Sequence, residues 1–203
     1  GVNNLDAVGA TNDLTIANDG TYDFVTLGHQ TISVFDDEPL FVSDSFSFTA
    51  VIKDPATSPV IDILNSAHED IGTVFSMDLI QDTTTKVRVS LLDGAPSPTT
   101  LQPADLDTSG WAAGEWHTVT ATYSPANGLK LYDDGVVYDT DASSELVFAD
   151  ISNAGGSLGR VSNVQVGGRD GVSGQVDCRY IAYHDFELTP TQANDLATEL
   201  GTV

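Results

Sequence analysis

The chain has 203 residues and a formal net charge of −23, with 7 basic against 30 acidic side chains, and is read as one domain over residues 1–203, at the large end that sandwiches and barrels reach. A hydrophobic share of 40% supplies enough apolar surface for a core and excludes a disordered chain. With 3 Lys and 4 Arg the surface cannot neutralise phosphates in number, so nucleic acid is excluded as a partner and anionic membranes are disfavoured.

Acids split 24 Asp to 6 Glu, beside 22 Thr, 17 Ser and 18 Gly, and short polar side chains suit strands and turns better than helices. No apolar run approaches the ~18 residues of a membrane span, and no signal peptide opens the chain. Gly1 in place of Met reads as a processed form.

Taken in chain order, residues 46–52 place Phe46, Phe48, Ala50 and Ile52 alternately with Ser47, Thr49 and Val51, which predicts a half-buried strand. Residues 74–80 carry Phe75, Met77 and Leu79 on one face, and residues 86–92 carry Val87, Val89 and Leu91 opposite Lys86, Arg88 and Ser90. The stretch 93–110 reads as a loop long enough to be a functional surface. Residues 116–123 alternate His117, Val119, Ala121 and Tyr123 with Thr118, Thr120 and Thr122. Leu129 and Leu131, then Val136 and Tyr138, flank Asp133-Asp134-Gly135, whose Asp-Gly pair predicts a tight hairpin of firm register. Near the end the period changes. Thr189 as N-cap, Pro190 at the first helical position and Gln192 form a capping-box pattern. Ala193, Leu196, Ala197 and Leu200 then line one helical face for about three turns, before Gly201 ends the helix. The single cysteine, Cys178, is expected in the core.

The segment Glu115-Trp116-His117-Thr118-Val119-Thr120-Ala121-Thr122-Tyr123, with Leu129-Lys130-Leu131-Tyr132-Asp133-Asp134-Gly135, resembles the W-H-x-V-x-x-x-Y … L-x-L-Y-x-D-G signature of laminin G-like, concanavalin A-like domains. YDFVTLG (22–28), FSFTAVIK (Phe46–Lys53) and VQVGG (164–168) are similar to strands of that family. GQVDCRYIAYHDFELTPTQ (174–192) resembles its closing strand and helix, with the run 181–188 one or two residues longer than the family's spacing. The resemblance implies an all-β, antiparallel two-sheet jelly-roll sandwich with a short C-terminal helix. On that reading Trp116 and Tyr123 mark the two ends of a strand, Val119 faces the core, and these residues are structural.

Glycosidases of this architecture place alternate carboxylates on one strand, and no such Glu-x-Asp arrangement is found here, so no enzyme is expected. His29, His68, His117 and His184 are scattered, without a nucleophile or phosphate-loop motif. The resemblance implies calcium, with Asp177 as first ligand and Asp6 or Asp23 as its partner. Asp36-Asp37-Glu38 and His68-Glu69-Asp70 read as solvated acidic clusters.

A sugar site needs an aromatic platform beside amide and charged groups. Trp111 after the long loop is the candidate, with Asn153, Arg169 and Asp170 on the same rim. The leading expectation is a non-catalytic lectin-like module binding surface glycans or cell-surface polysaccharide, calcium-supported, and extracellular or at a virion or cell surface. The alternative is a virion decoration or tail protein, or an adhesin, that binds other virion or surface proteins. A glycoside hydrolase or lyase ranks last.

Overall fold

The computed structural model describes residues 16–27, 32–34, 45–53, 61–68, 72–81, 84–92, 99–143, 146, 163–166 and 175–203. The period-two runs form strands because alternate side chains then reach one core while the backbone satisfies its polar groups in the ladders. In chain order these are β1 (Ile16–Asn18), β2 (Asp23–Leu27), β3 (Ile32–Val34), β4 (Phe46–Lys53), β5 (Ile61–His68), β6 (Gly72–Gln81) and β7 (Thr85–Leu92). They continue as β8 (Thr100–Leu101), β9 (Leu106–Asp107), β10 (Trp116–Ser124), β11 (Gly128–Asp133), β12 (Val136–Asp141), β13 (Asn163–Val166) and β14 (Val176–His184), and helix α1 (Pro190–Glu199) follows. One sheet runs β1-β2-β14-β4-β10-β11-β12; the other runs β3-β13-β5-β6-β7-β8, with β9 paired to β7. Neighbours are antiparallel, as between β10 and β4 or β6 and β7. This is the all-β sandwich that the sequence predicts.

The core lies between the sheets. Phe46, Phe48, Ala50 and Ile52 meet Phe75, Met77, Leu79, Val87, Val89 and Leu91 there, with Val119 and Tyr123 of β10 fully buried among them. Phe48 stacks on Phe75 across the two sheets, ring centres 4.6 Å apart. Cys178 joins the same core, and burial pushes its thiol up to about 12. The stretch read as one long loop carries β8, β9 and a 3-10 turn (Thr108–Gly110) in its described part, and β8 and β9 both pair with β7.

Two expectations change. The first is that β4 and β10 are half-buried; Ser47, Thr49, Thr118, Thr120 and Thr122 are buried as fully as the apolar residues between them. The reason is the C-terminal segment, which lies on the outer face of this sheet. Ser47 donates to the Phe186 carbonyl (2.9 Å) and accepts from the Leu188 N–H (2.8 Å), while the Thr118 and Thr202 hydroxyls meet at 2.7 Å. Thr49 and Thr120 bond each other at 3.0 Å. Hydroxyls of Ser47, Thr49, Thr118 and Thr120 that would face water on an open sheet are thus paired beneath the C-terminal segment, while the buried Thr122 hydroxyl has no partner among the described residues. The capping box at Thr189 and Gln192 is present, Ala193 and Ala197 are the buried helical residues, and Gly201 is left-handed (φ +70°).

The second change concerns register. Asp134 (φ +46°) and Gly135 (φ +78°) make the two-residue hairpin turn, but pairing slips between Leu131 and Tyr132. A Cβ on Gly135 would sit 2.5 Å from Asn194 Cα, so the hairpin tip is seated against α1. β14 slips against β4 between Cys178 and Tyr180.

Candidate functional site

Successive residues of a strand point to opposite faces, so Trp116 and His117 at the start of β10 serve two different clusters. On the outer face, Trp116 meets Phe24 edge-on with ring centres 5.7 Å apart, and Tyr22 at 6.5 Å. The pairing of Trp116 with Lys53 in the β10–β4 ladder puts the Lys53 Nζ 5.3 Å from the indole centre. Arg179, beside the slip in β14, packs its guanidinium 3.6 Å from the Tyr22 ring centre and 5.0 Å from that of Trp116. Its Nη2 donates to the Leu200 carbonyl, and its buried Nη1 has no partner among the described residues.

Asp19 ties this patch together. Its carboxylate accepts from the Tyr22 N–H (2.9 Å), the Trp116 indole N–H (2.9 Å) and the Thr21 N–H (3.0 Å), with Lys53 at 3.6 Å. Those donors hold Asp19 well below the usual carboxylate range. The outer patch therefore presents two cations and three rings around one fully satisfied acid. Such a surface can stack the C–H face of a sugar and pair with a carboxylate.

The second cluster occupies the core side, at the sandwich rim. The Trp111 ring lies flat on His117, centres 4.0 Å apart and planes 6° apart. The Trp111 indole N–H points to Asp133 Oδ2 at 3.4 Å. His117 Nδ1 lies 2.7 Å from Asp134 Oδ2, and the Thr118 N–H donates to Asp134 Oδ1 at 2.7 Å. An ionised carboxylate only accepts, so Nδ1 carries the proton in that bond. Two buried atoms, His117 Nε2 and Asp133 Oδ1, have no partner among the described residues. Burial, and after it the charge of Asp134, pushes the Asp133 carboxyl above its ordinary value. Among the described residues, His117, Asp133 and Asp134 are the one group of three acid or imidazole side chains whose ligand atoms lie within 4.8 Å of one another.

The residues singled out from sequence fall in three places. Trp111 is half-buried, packed against the core and the His117 ring. Asp177 on β14 accepts from the Thr26 hydroxyl at 2.7 Å, and Asp23 on β2 accepts from the Asn18 amide at 2.6 Å. Asp6, Asn153, Arg169 and Asp170 lie outside the described residues, as do Asp36, Asp37, Glu38, Glu69 and Asp70. The sequence reading passed over Tyr22, Phe24, Lys53 and Arg179, because aromatic and basic residues scattered over 158 positions carry no motif.

The sequence matches no protein-family model and no curated protein. Solved structures are similar in fold. The binding domain of botulinum neurotoxin DC in complex with "SialylT" superposes with a TM-score of 0.67 at 19% identity, over 93% of this chain and 44% of that one. The botulinum neurotoxin serotype D ligand-binding domain in complex with N-acetylneuraminic acid gives 0.66 at 14% identity, over 94% and 45%. The neurotoxin DC binding domain in complex with rat synaptotagmin II gives 0.65 at 16% identity, over 93% and 45%. The chain spans less than half the length of these neighbours, and at such identities the likeness is one of fold.

Proposed function

We propose that this chain is a non-catalytic, lectin-like recognition module for surface glycans, acting outside the cell or at a virion or cell surface, and that its sugar site is the outer patch. The observation that carries the reading is the packing of Lys53 and Arg179 on Tyr22, Phe24 and Trp116. A chain of net charge −23 repels anions generally, so two of its 7 basic residues on one aromatic patch select where an acidic sugar can approach. Rings take the C–H face and the Lys53 ammonium takes the carboxylate. Two fold neighbours are named for complexes with sialylated ligands or N-acetylneuraminic acid, which supports the same class of ligand. The third is named for a protein partner, and that keeps an attachment protein as the second reading.

The test is a glycan array carrying matched sialylated and desialylated glycans, run in calcium and in chelator. Saturable retention of the sialylated members is expected, weakened roughly tenfold by Trp116→Ala or by Lys53→Gln, the loss of one ring or cation contact. Retention unchanged in both variants moves the site to the candidates read from the sequence, Trp111, Asn153, Arg169 and Asp170. A blank array on folded protein overturns the glycan reading in favour of protein attachment. Calcium support through Asp177, with Asp6 or Asp23, is part of the proposal: chelator and Asp177→Ala are each expected to lower the melting temperature measured in calcium, and equal melting in all states removes it.

A further inference from the structure

The structure also points to a second site: we infer that His117 and Asp133, with Asp134 held behind the imidazole, bind a divalent cation of the borderline class, such as Zn2+, at the rim of the sandwich. Three observations converge. First, the ligand atoms of the three residues lie within 4.8 Å of one another on two strands and the tight turn that joins β11 to β12. Second, the hydrogen bond from Nδ1 to Asp134 Oδ2 fixes the tautomer, so Nε2 of the neutral ring is a lone-pair acceptor. A carboxylate behind the imidazole is how a metal-binding histidine is usually oriented and made more basic. Third, His117 Nε2 and Asp133 Oδ1 are both buried acceptors without a partner among the described residues, and His117 is only 9% exposed. Buried lone pairs without a donor are unfavourable by themselves and are relieved by a Lewis acid.

The surroundings suit that role. Trp111 covers the face of the imidazole, whereas the Nε2 lone pair lies in the ring plane and is not the part that the stack covers. Asp134 is locked by the Thr118 N–H, and its own N–H donates to the Thr118 carbonyl at 2.8 Å, so the turn is rigid before any ion arrives. One nitrogen with carboxylate oxygens selects Zn2+, Mn2+ or Co2+ over Ca2+, which prefers six or more oxygens. This site is separate from calcium at Asp177 and independent of the glycan reading.

The experiment titrates the chelator-treated full chain with Zn2+ by calorimetry and follows melting, with Mg2+ at the same concentration as the control for charge screening. One equivalent of Zn2+ and a rise in melting temperature absent with Mg2+ are expected. Visible absorption of the Co2+ form reports an imidazole and carboxylate ligand set. Asp133→Asn keeps the shape of the side chain and removes a buried charge, so it is expected to melt no lower than wild type without metal and to bind Zn2+ roughly tenfold to a hundredfold more weakly. No Zn2+ binding, an equal response to Mg2+, or full Zn2+ affinity in Asp133→Asn with the Co2+ spectrum unchanged each overturn the proposal. Where Asp133→Asn fails to fold, His117→Gln serves, and full Zn2+ affinity in that variant overturns it equally.

Discussion

Trp116 and Trp111 sit in clusters reached from the two faces of β10, and each indole N–H is directed at an aspartate, Asp19 at 2.9 Å and Asp133 at 3.4 Å. The two acids respond in opposite ways. Asp19 is exposed, collects two backbone N–H donors as well as the indole, and has Lys53 nearby, so it stays charged far into acid. Asp133 is partly desolvated, beside the charge of Asp134, and is pushed the other way. The same pair of residue types therefore makes a patch of cations and rings around a charged acid on one side and a pocket with buried lone pairs on the other. Solvent access and the number of donors decide the difference, because burial penalises a charge that a few hydrogen bonds to water or protein would stabilise.

The comparison can be broken most completely at the strand both clusters share. Val119→Asp puts an unpaired charge where the side chain is fully buried, at a cost on the order of 4–5 kcal/mol, which approaches the whole stability of a domain. Loss of the strand signal in far-ultraviolet circular dichroism, and of both ligand responses, is the expected result.

Gly135→Ala acts first at the turn beside Asp134. Its left-handed φ of +78° and the contact at 2.5 Å with Asn194 Cα make any Cβ costly, by more than about 1 kcal/mol. A lowered urea midpoint and a weakened zinc response, with sialylated-glycan retention kept, would separate the rim from the outer patch.

Smallest of all is the effect at a third acid, Glu187, which accepts from Ser124 (2.6 Å), Asn127 (2.7 Å) and Lys130 (2.8 Å) at the far end of the outer face. Burial raises its carboxyl, but these three partners, Lys130 foremost, prevail and hold it below its ordinary value. A carboxylate with a depressed value in the fold contributes stability above its unfolded value and loses it as pH falls through the folded one. Glu187→Gln is therefore expected to flatten the acid side of the stability profile, by about 1 kcal/mol or less, while leaving both clusters unchanged. An acid limb identical to wild type would show that the Glu187 pairing is energetically neutral.

The sequence by itself determined β4, β6, β7, β10, the β11–β12 hairpin with its Asp-Gly turn and the capped C-terminal helix, because each is written in local periodicity or in a few adjacent residues, whereas β1, β3, β5, β8 and β9 were not read from it. It placed Val119 in the core through its position in the strand signature, and Cys178 there because a free cysteine is usually buried. It did not reveal that Thr118, Thr120 and Thr122 are covered, since a hydroxyl facing water and one facing Thr49 or Thr202 look alike in a pattern of alternation. His117 was legible as a strand residue, and its meeting with Trp111 and Asp133 was not.

The tertiary structure alone decided the two clusters. Lys53 meets Trp116 through the register of β4 on β10, and Arg179 reaches the same indole beside a slip in β14. Register and slips are set by the packing of whole sheets, and a one-residue shift exchanges the faces of a strand. A single sequence read along its length specifies which residues alternate, whereas the partner each one faces is fixed only when the sheets close on their common core.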